Sequence, residues 1–300
     1  MKKKILIIGG TGFIGFHLAQ VAKKKNFDTV IISTRKPKKI RKLQNVKYII
    51  CDITNKKKLE FILKNMNFDF VVNLGGYVDH SNKTKTFQSH YNGCKNIANI
   101  FLNKKIKSFV QIGSGGEYGN LKSPHKETNI CRPQSNYSKA KYQSTKFLIS
   151  LFKKKKFPST IVRLYQVYGP RQDANRFLST IIKKCLHNKK FPSSEGIQYR
   201  DFTYIDDVIR SIFLIFKEKK SRGKIFNIGF GAPIKIRNIV YKIMKKCKGG
   251  KPIFGEIKLR KEENLMTYPN IAKAKLILNW KPKISFDKGI LRTIRYYEKN

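Results

Sequence analysis

The stretch Ile5-Leu6-Ile7-Ile8-Gly9-Gly10-Thr11-Gly12-Phe13-Ile14-Gly15 decides how the rest of the 300-residue chain is read. Four aliphatic residues in a row predict a strand buried on both faces, as the inner strands of a parallel sheet are. Glycines follow at once and open a helical pattern running from about Gly12 to Lys25, the context that a dinucleotide fingerprint requires. Glycine is needed where the backbone turns sharply and where a pyrophosphate must approach the N–H groups of a helix N-terminus. Gly9, Thr11, Gly12, Phe13, Ile14 and Gly15 are therefore the candidate cofactor turn. The plain alternative, an ordinary tight turn, is disfavoured by the placement between the first strand and the first helix.

Beyond this turn the first half of the chain repeats the same rhythm. Thr29 to Ser33, Tyr48 to Cys51, Phe70 to Leu74, Phe109 to Ile112 and Thr160 to Leu164 read as five further strands. Helical patterns near Lys56 to Asn65, Thr84 to Asn103 and Ser138 to Lys154 separate several of them. This alternation predicts an α/β fold with a doubly wound parallel sheet whose ligand lies at the carboxyl ends of the strands. After Leu164 the rhythm breaks into Gly- and Pro-bearing segments, which predicts a smaller α/β lobe over the ligand cleft. The expected division is residues 1–165 for the sheet and 166–300 for the lobe, with a return excursion near 201–229 that adds Lys224 to Ile228 to the sheet.

The composition bounds the possibilities. With 40% hydrophobic residues the chain can bury a sizeable core, and nothing in its balance is that of a disordered or collagen-like protein. Five cysteines lie far apart with no CxxC pair, so neither a disulfide framework nor a zinc knuckle is expected, and a reducing cytoplasm is the expected compartment. The opening Met-Lys-Lys-Lys imitates a secretion signal, but its apolar run ends after Ile8 and glycines follow. No segment has the apolar length of a membrane span. The formal net charge of +47, from 65 Lys+Arg against 18 Asp+Glu, raises nucleic acid, an anionic membrane face and phosphate-bearing small molecules as partners. The bland reading is compositional drift toward lysine at surface positions. The lysines recur at most element ends without forming one tail, and no aromatic-interleaved RNA motif accompanies them, so no nucleic-acid partner is expected.

The end of the second strand bears on which dinucleotide would bind. An NAD site wants a carboxylate there for the ribose hydroxyls, whereas this chain has Ser33-Thr34-Arg35-Lys36. Arg35 and Lys36 suit a 2′-phosphate, so NADP is expected, with NAD as the alternative. In a lysine-rich chain the missing carboxylate is the firmer half of this argument. Asp52, with Ile53 beside it at the end of the third strand, either contacts adenine or caps the next helix.

Tyr137-Ser138-Lys139-Ala140-Lys141 places a phenol and an ammonium four residues apart, on one face of a helix. A lysine near a tyrosine favours the phenolate, so Tyr137 would exchange a proton with an alcohol or carbonyl near neutral pH while Lys141 holds the nicotinamide ribose. Ser114, just past the fifth strand, either bonds the same substrate oxygen or merely caps a turn. Together with Tyr168-Gly169-Pro170, the run Arg200 to Asp207, and Asn279-Trp280-Lys281-Pro282, these motifs resemble the extended short-chain dehydrogenase/reductases, and in particular their nucleotide-sugar epimerase/dehydratase group.

The resemblance covers nearly the whole chain in order. It implies a Rossmann sheet for NAD(P), a nucleoside-diphosphate sugar under the C-terminal lobe, and a homodimer formed through the helices after strands four and five. It implies Ser114, Tyr137 and Lys141 as the catalytic trio, and Leu164 to Val167 beside the nicotinamide. Gln166, Asn175 and Arg176 are implied along the sugar-nucleotide cleft, with Arg200 and Arg260 toward the diphosphate, which planar guanidinium groups bond in pairs.

Several departures narrow the reaction. Dehydratases of the group usually carry Asp-Glu just after the serine or threonine, where this chain has Gly115-Gly116. Glu117 comes one position late and is expected to point elsewhere, so dehydration is disfavoured. Gly75-Gly76 replaces a common alanine pair, Tyr77 to Ser81 resembles a shortened sugar-facing loop in which His80 is expected to face solvent, and Asn279 replaces a usual glycine. With the Arg35-Lys36 end of strand two, the expected activity is NADPH-dependent reduction of a 4-keto nucleoside-diphosphate sugar. A 4-epimerase that uses bound NAD(P) transiently is the alternative. A non-enzymatic dinucleotide- or RNA-binding protein is a third reading, which the intact trio disfavours.

Overall fold

The computed structural model describes residues 2–77, 79, 81–259 and 264–299. Its centre is a seven-stranded parallel sheet. In chain order the strands begin with β1 (Lys4–Ile8), β2 (Asp28–Ser33), β3 (Lys47–Ile50), β4 (Phe70–Asn73), β5 (Ser108–Ser114) and β6 (Ser159–Leu164). The smaller lobe adds β7 (Gln166–Tyr168), β8 (Lys190–Ser193), β9 (Tyr199–Arg200) and β10 (Phe202–Tyr204), and the chain then returns through β11 (Lys224–Ile228). The short strands β12 (Ile234–Lys235), β13 (Lys251–Phe254) and β14 (Met266–Thr267) complete the lobe. The large sheet has the order β11-β6-β5-β4-β1-β2-β3, so the return strand joins the sheet and takes its edge beside β6.

Both faces of the sheet are covered by helices, which is why β4 and β6 are buried at every residue and β1 at all but its first. Ile5 and Ile7 pack into one core, Leu6 and Ile8 into the other, as the alternation of a strand demands. The helices are α1 (Phe13–Lys24), α2 (Lys56–Leu63), α3 (Lys83–Phe87), α4 (Gly93–Leu102), α5 (Asn136–Lys155), α6 (Phe177–Leu186), α7 (Ile205–Lys217), α8 (Ile236–Cys247), α9 (Ala272–Leu278) and α10 (Phe286–Glu298). The expected single helix near Thr84 to Asn103 is instead α3 and α4 joined by a π-helical turn at Gln88–Asn92. Periodicity does not register one wide turn inserted in a continuous helix.

The lobe's small sheets pair β10 with β7, β9 with β12 and β14, and β13 with β8. Two carboxylates tie them down. Asp201 accepts from the backbone N–H of Phe230 (2.7 Å) and Gly231 (2.6 Å). Asp207 accepts from the N–H groups of Lys283 and Ile284, while the Trp280 indole, fully buried, donates to the Asp207 carbonyl at 2.9 Å. Asn279 takes the left-handed conformation (φ 48°) at the end of α9, a geometry asparagine tolerates, so the usual glycine is dispensable there. Among the described residues no helix is long and apolar enough to cross a membrane.

Candidate active site

The carboxyl ends of β1, β5 and β6 carry the Gly9 turn, Ser114 and Leu164, so the parallel sheet brings these three segments to one edge. The strand order reverses between β4 and β1, which places the crevice of a doubly wound fold above the glycine turn.

The turn is built for close approach. Gly9 lies at φ 75°, and a Cβ on Gly15 would come within 2.5 Å of the Gly10 Cα and 2.6 Å of the Gly9 carbonyl oxygen. No side chain caps α1 at Gly12, so its first amides are available to an anion. The Thr11 N–H reaches the Ser33 hydroxyl at 3.4 Å and joins the turn to the end of β2. A dinucleotide pyrophosphate fits this cradle. Arg35 and Lys36 are exposed just past β2, open to a phosphate. Asp52 does not cap α2: its carboxylate is engaged by the N–H and hydroxyl of Thr54, both at 2.8 Å, and Asn55 caps the helix. The Ile53 side chain is buried against Gly75 and Gly93, and its carbonyl accepts from the Asn96 amide at 2.9 Å.

Ser114, Tyr137 and Lys141 come together. Ser114 is the last residue of β5; its hydroxyl accepts from the Gly116 N–H (3.1 Å) and is hydrogen-bonded to the Tyr137 phenol. It caps the 3₁₀ turn Gly115–Tyr118 and also stands in the cluster with Tyr137. Lys141 is buried, donates to the Ile112 carbonyl at 2.7 Å, and lies 5.8 Å from the Tyr137 ring centroid. The His90 ring, delivered by the π-helical turn, meets the Tyr137 ring edge-on at 5.0 Å.

The electrostatics differ from the simple expectation. Burial pushes the Tyr137 phenol above its usual value, and the Glu117 carboxylate adds to the rise; the Ser114 hydrogen bond and Arg176 oppose it. Burial pulls Lys141 down to about 8, with Glu117 and Cys94 pulling the other way. Desolvation of the phenol outweighs the opposing Ser114 hydrogen bond and Arg176 charge, so the surroundings push the phenol up and the amine down.

Glu117 is fully buried and turned away from the cleft, as expected. Its carboxylate accepts from the Ser114 N–H (2.9 Å), the Thr145 hydroxyl (2.8 Å) and Arg163 Nε (2.9 Å). Thr145 and Arg163 escaped the sequence reading. The signal for them was a single arginine inside the buried run Thr160 to Leu164, since a charge placed there requires a counter-charge.

Two cavities open on the lobe side. One, of about 90 Å³, is lined by Ser114, Gly115, Gly116, Leu164, Gln166 and Arg200 among others. Gly115 and Gly116 thus bring no carboxylate to it, and Asp201, which also lines it, is bonded to the Phe230 and Gly231 N–H groups. The other, of about 400 Å³, is lined by Asn175, Phe177, Lys184, Phe191, Ser193 and Gln198 among others. Arg200 donates to the Tyr199 carbonyl at 2.8 Å, and Arg176 begins α6 close enough for its charge to be felt at Tyr137. Arg260 and His80 lie outside the described residues. Among the described residues no cluster of histidines, cysteines and carboxylates could hold a metal ion.

Comparison with known proteins agrees with this architecture. A UDP-glucuronate 4-epimerase of Thermodesulfobacterium geofontis is 26% identical, with 98% of this chain and 96% of that protein covered. A dTDP-D-glucose 4,6-dehydratase of Mus musculus is 25% identical over 99% of this chain and 89% of its own length. The solved structure of UDP-glucuronic acid 4-epimerase from Bacillus cereus, in complex with UDP-glucuronic acid and NAD, superimposes with a TM-score of 0.89 at 26% identity, covering 99% of each chain. The model of the NAD dependent epimerase/dehydratase family matches residues 5–229, three quarters of the length and all of the large sheet. The chain belongs to the NAD-dependent epimerase/dehydratase family, within the extended short-chain dehydrogenase/reductases.

Proposed function

We propose that the protein reduces the 4-keto group of a nucleoside-diphosphate sugar, with NADPH as reductant and Tyr137 as general acid. The observation that carries this reading is the convergence of Ser114 at the end of β5 with the half-buried Tyr137 phenol and the buried Lys141 amine, which α5 presents to the carboxyl end of the sheet. A dinucleotide, when bound, supplies the hydride that adds to the carbonyl carbon. Tyr137 donates its proton to the carbonyl oxygen, and Ser114 donates a hydrogen bond that stabilises the charge developing there. The Tyr137 oxygen recovers its proton from solvent. Lys141 spends one donor on Ile112 and keeps two for the ribose hydroxyls. Arg35 and Lys36 take the 2′-phosphate. Gln166 and Arg200 hold the sugar and diphosphate, Asn175 and Arg176 extend the contact toward the nucleotide, and Arg260 is assigned to the same role from the sequence resemblance.

Dehydration is disfavoured because Gly115 and Gly116 offer no base and the Glu117 carboxylate is committed to three donors. A 4-epimerisation with the dinucleotide recycled is the second reading, supported by relatives named as UDP-sugar 4-epimerases. The same side chains would then first take and later return the proton. A homodimer packed through α3, α4 and α5 and a place in the reducing cytoplasm complete the proposal. The test is turnover on a panel of 4-keto and 4-hydroxy nucleotide sugars. NADPH consumed in proportion to alcohol formed is expected; interconversion of 4-epimers without net consumption would instead establish the epimerase.

A further inference from the structure

Arg163 is 1% exposed next to the last residue of β6, and Glu117, 0% exposed, answers it at 2.9 Å. The pair does more than neutralise itself. One Glu117 oxygen accepts from the Ser114 N–H at the end of β5; the other accepts from the Thr145 hydroxyl on α5 and from Arg163 on β6. Thr145 lies one turn beyond Lys141 and two beyond Tyr137 on the same face of α5. Arg163 immediately precedes Leu164. A single carboxylate thus joins the three elements that carry the serine, the phenol and amine, and the cofactor-side leucine. Gly113 makes room for it: a Cβ there would lie 2.5 Å from the Glu117 oxygen.

We infer that Glu117 is a positioning residue, whose buried carboxylate clamps Ser114 to α5 and β6 and so fixes the serine relative to the Tyr137 phenol. This rests on the assignment of Tyr137 as the acid. The three bonds of Glu117 carry this inference, and its charge is also felt in the cluster, raising both Tyr137 and Lys141. Among the described residues, the Ser114 hydroxyl, Arg176, the His90 ring and Lys141 also face Tyr137. Those facing Lys141 are Cys94 and the Ile112 carbonyl. Arg163 is bounded in turn by the Tyr118 ring at 4.5 Å and by the Cys131 thiol.

The test uses the full chain as Glu117→Gln and as Glu117→Gln with Arg163→Met, which removes the orphaned cation should the single variant fail to fold. Tyrosinate absorbance is titrated for each against the same variant carrying Tyr137→Phe, so the difference isolates one phenol. The midpoint for Tyr137 is expected to fall by about one pH unit or more, a tenfold change in its acid constant, in the single and in the double variant. The alkaline limb of kcat should move with it while the dinucleotide Kd stays within about twofold. Glu117→Asp, which keeps the charge, should return the midpoint toward that of the parent. An unmoved midpoint, or one restored in the double variant, would overturn the inference. Because the phenol is read directly, a shift in protein that turns over no nucleotide sugar supports the positioning role and refutes only the proposed reaction.

Discussion

Lys141 and Tyr137 share a helix face, but their surroundings push their protonation apart: the amine loses its proton early and the phenol late. The consequence for stability has a definite sign. With a folded value of about 8 against the usual 10.5, the unfolded chain binds the extra proton between these limits, so stability rises with pH across that window and the gain is lost as pH falls through about 8. Denaturant unfolding from pH 7.5 to 10.5 should show this slope, worth at most about 3 kcal/mol, and Lys141→Met should abolish it. At the other end of the cleft, Arg35→Asp should weaken NADPH binding about tenfold or more and favour NADH, as measured by fluorescence titration. The trio itself was legible because its spacing could be placed against predicted elements. The role of Glu117 was not: the direction of its carboxylate depends on a 3₁₀ turn that no periodicity announces.

The glycine turn illustrates what a local pattern does specify at the level of elements. Its place between β1 and α1 follows from the aliphatic run and the helical pattern after it, while the tightness that makes each glycine necessary is a tertiary fact. A side chain at Gly15 meets backbone atoms of Gly10 and Gly9, which have no flexible end to move aside. Gly15→Ala is therefore expected to cost about 1–3 kcal/mol and to impair dinucleotide binding, measured by thermal unfolding with and without NADPH. The helix from Lys83 to Leu102 was foreseen in extent but not in form. Its π-helical turn rotates His90 onto the Tyr137 ring and against Gly76, where a Cβ would overlap the imidazole. Strand limits agreed with expectation to within one or two residues, because buried parallel strands are marked by unbroken apolar runs.

Across the whole molecule, two motifs far apart in sequence prove to be one structural unit. The run ending at Asp207 and the segment around Trp280 were both recognisable, but their contact was not, since nothing in either predicts that the indole will donate to the Asp207 carbonyl. This joint fastens the C-terminal helices to α7, which packs on α1 beneath the glycine turn. Trp280→Ala should cost about 3–5 kcal/mol in denaturant unfolding. The net charge of +47 is not gathered in a single tail but recurs along the whole sequence.

The proposed reaction turns on one act, the transfer of a proton from Tyr137 to the oxygen of a carbonyl as that carbonyl is reduced. Its most direct measurement compares the parent chain with Tyr137→Phe, mixing each with NADPH and a 4-keto nucleoside-diphosphate sugar and following the reduced nicotinamide absorbance. The parent should consume NADPH in step with the alcohol formed. Tyr137→Phe should bind NADPH normally and be slower by roughly 10²–10⁴-fold in kcat. Equal rates from the two proteins would contradict the account.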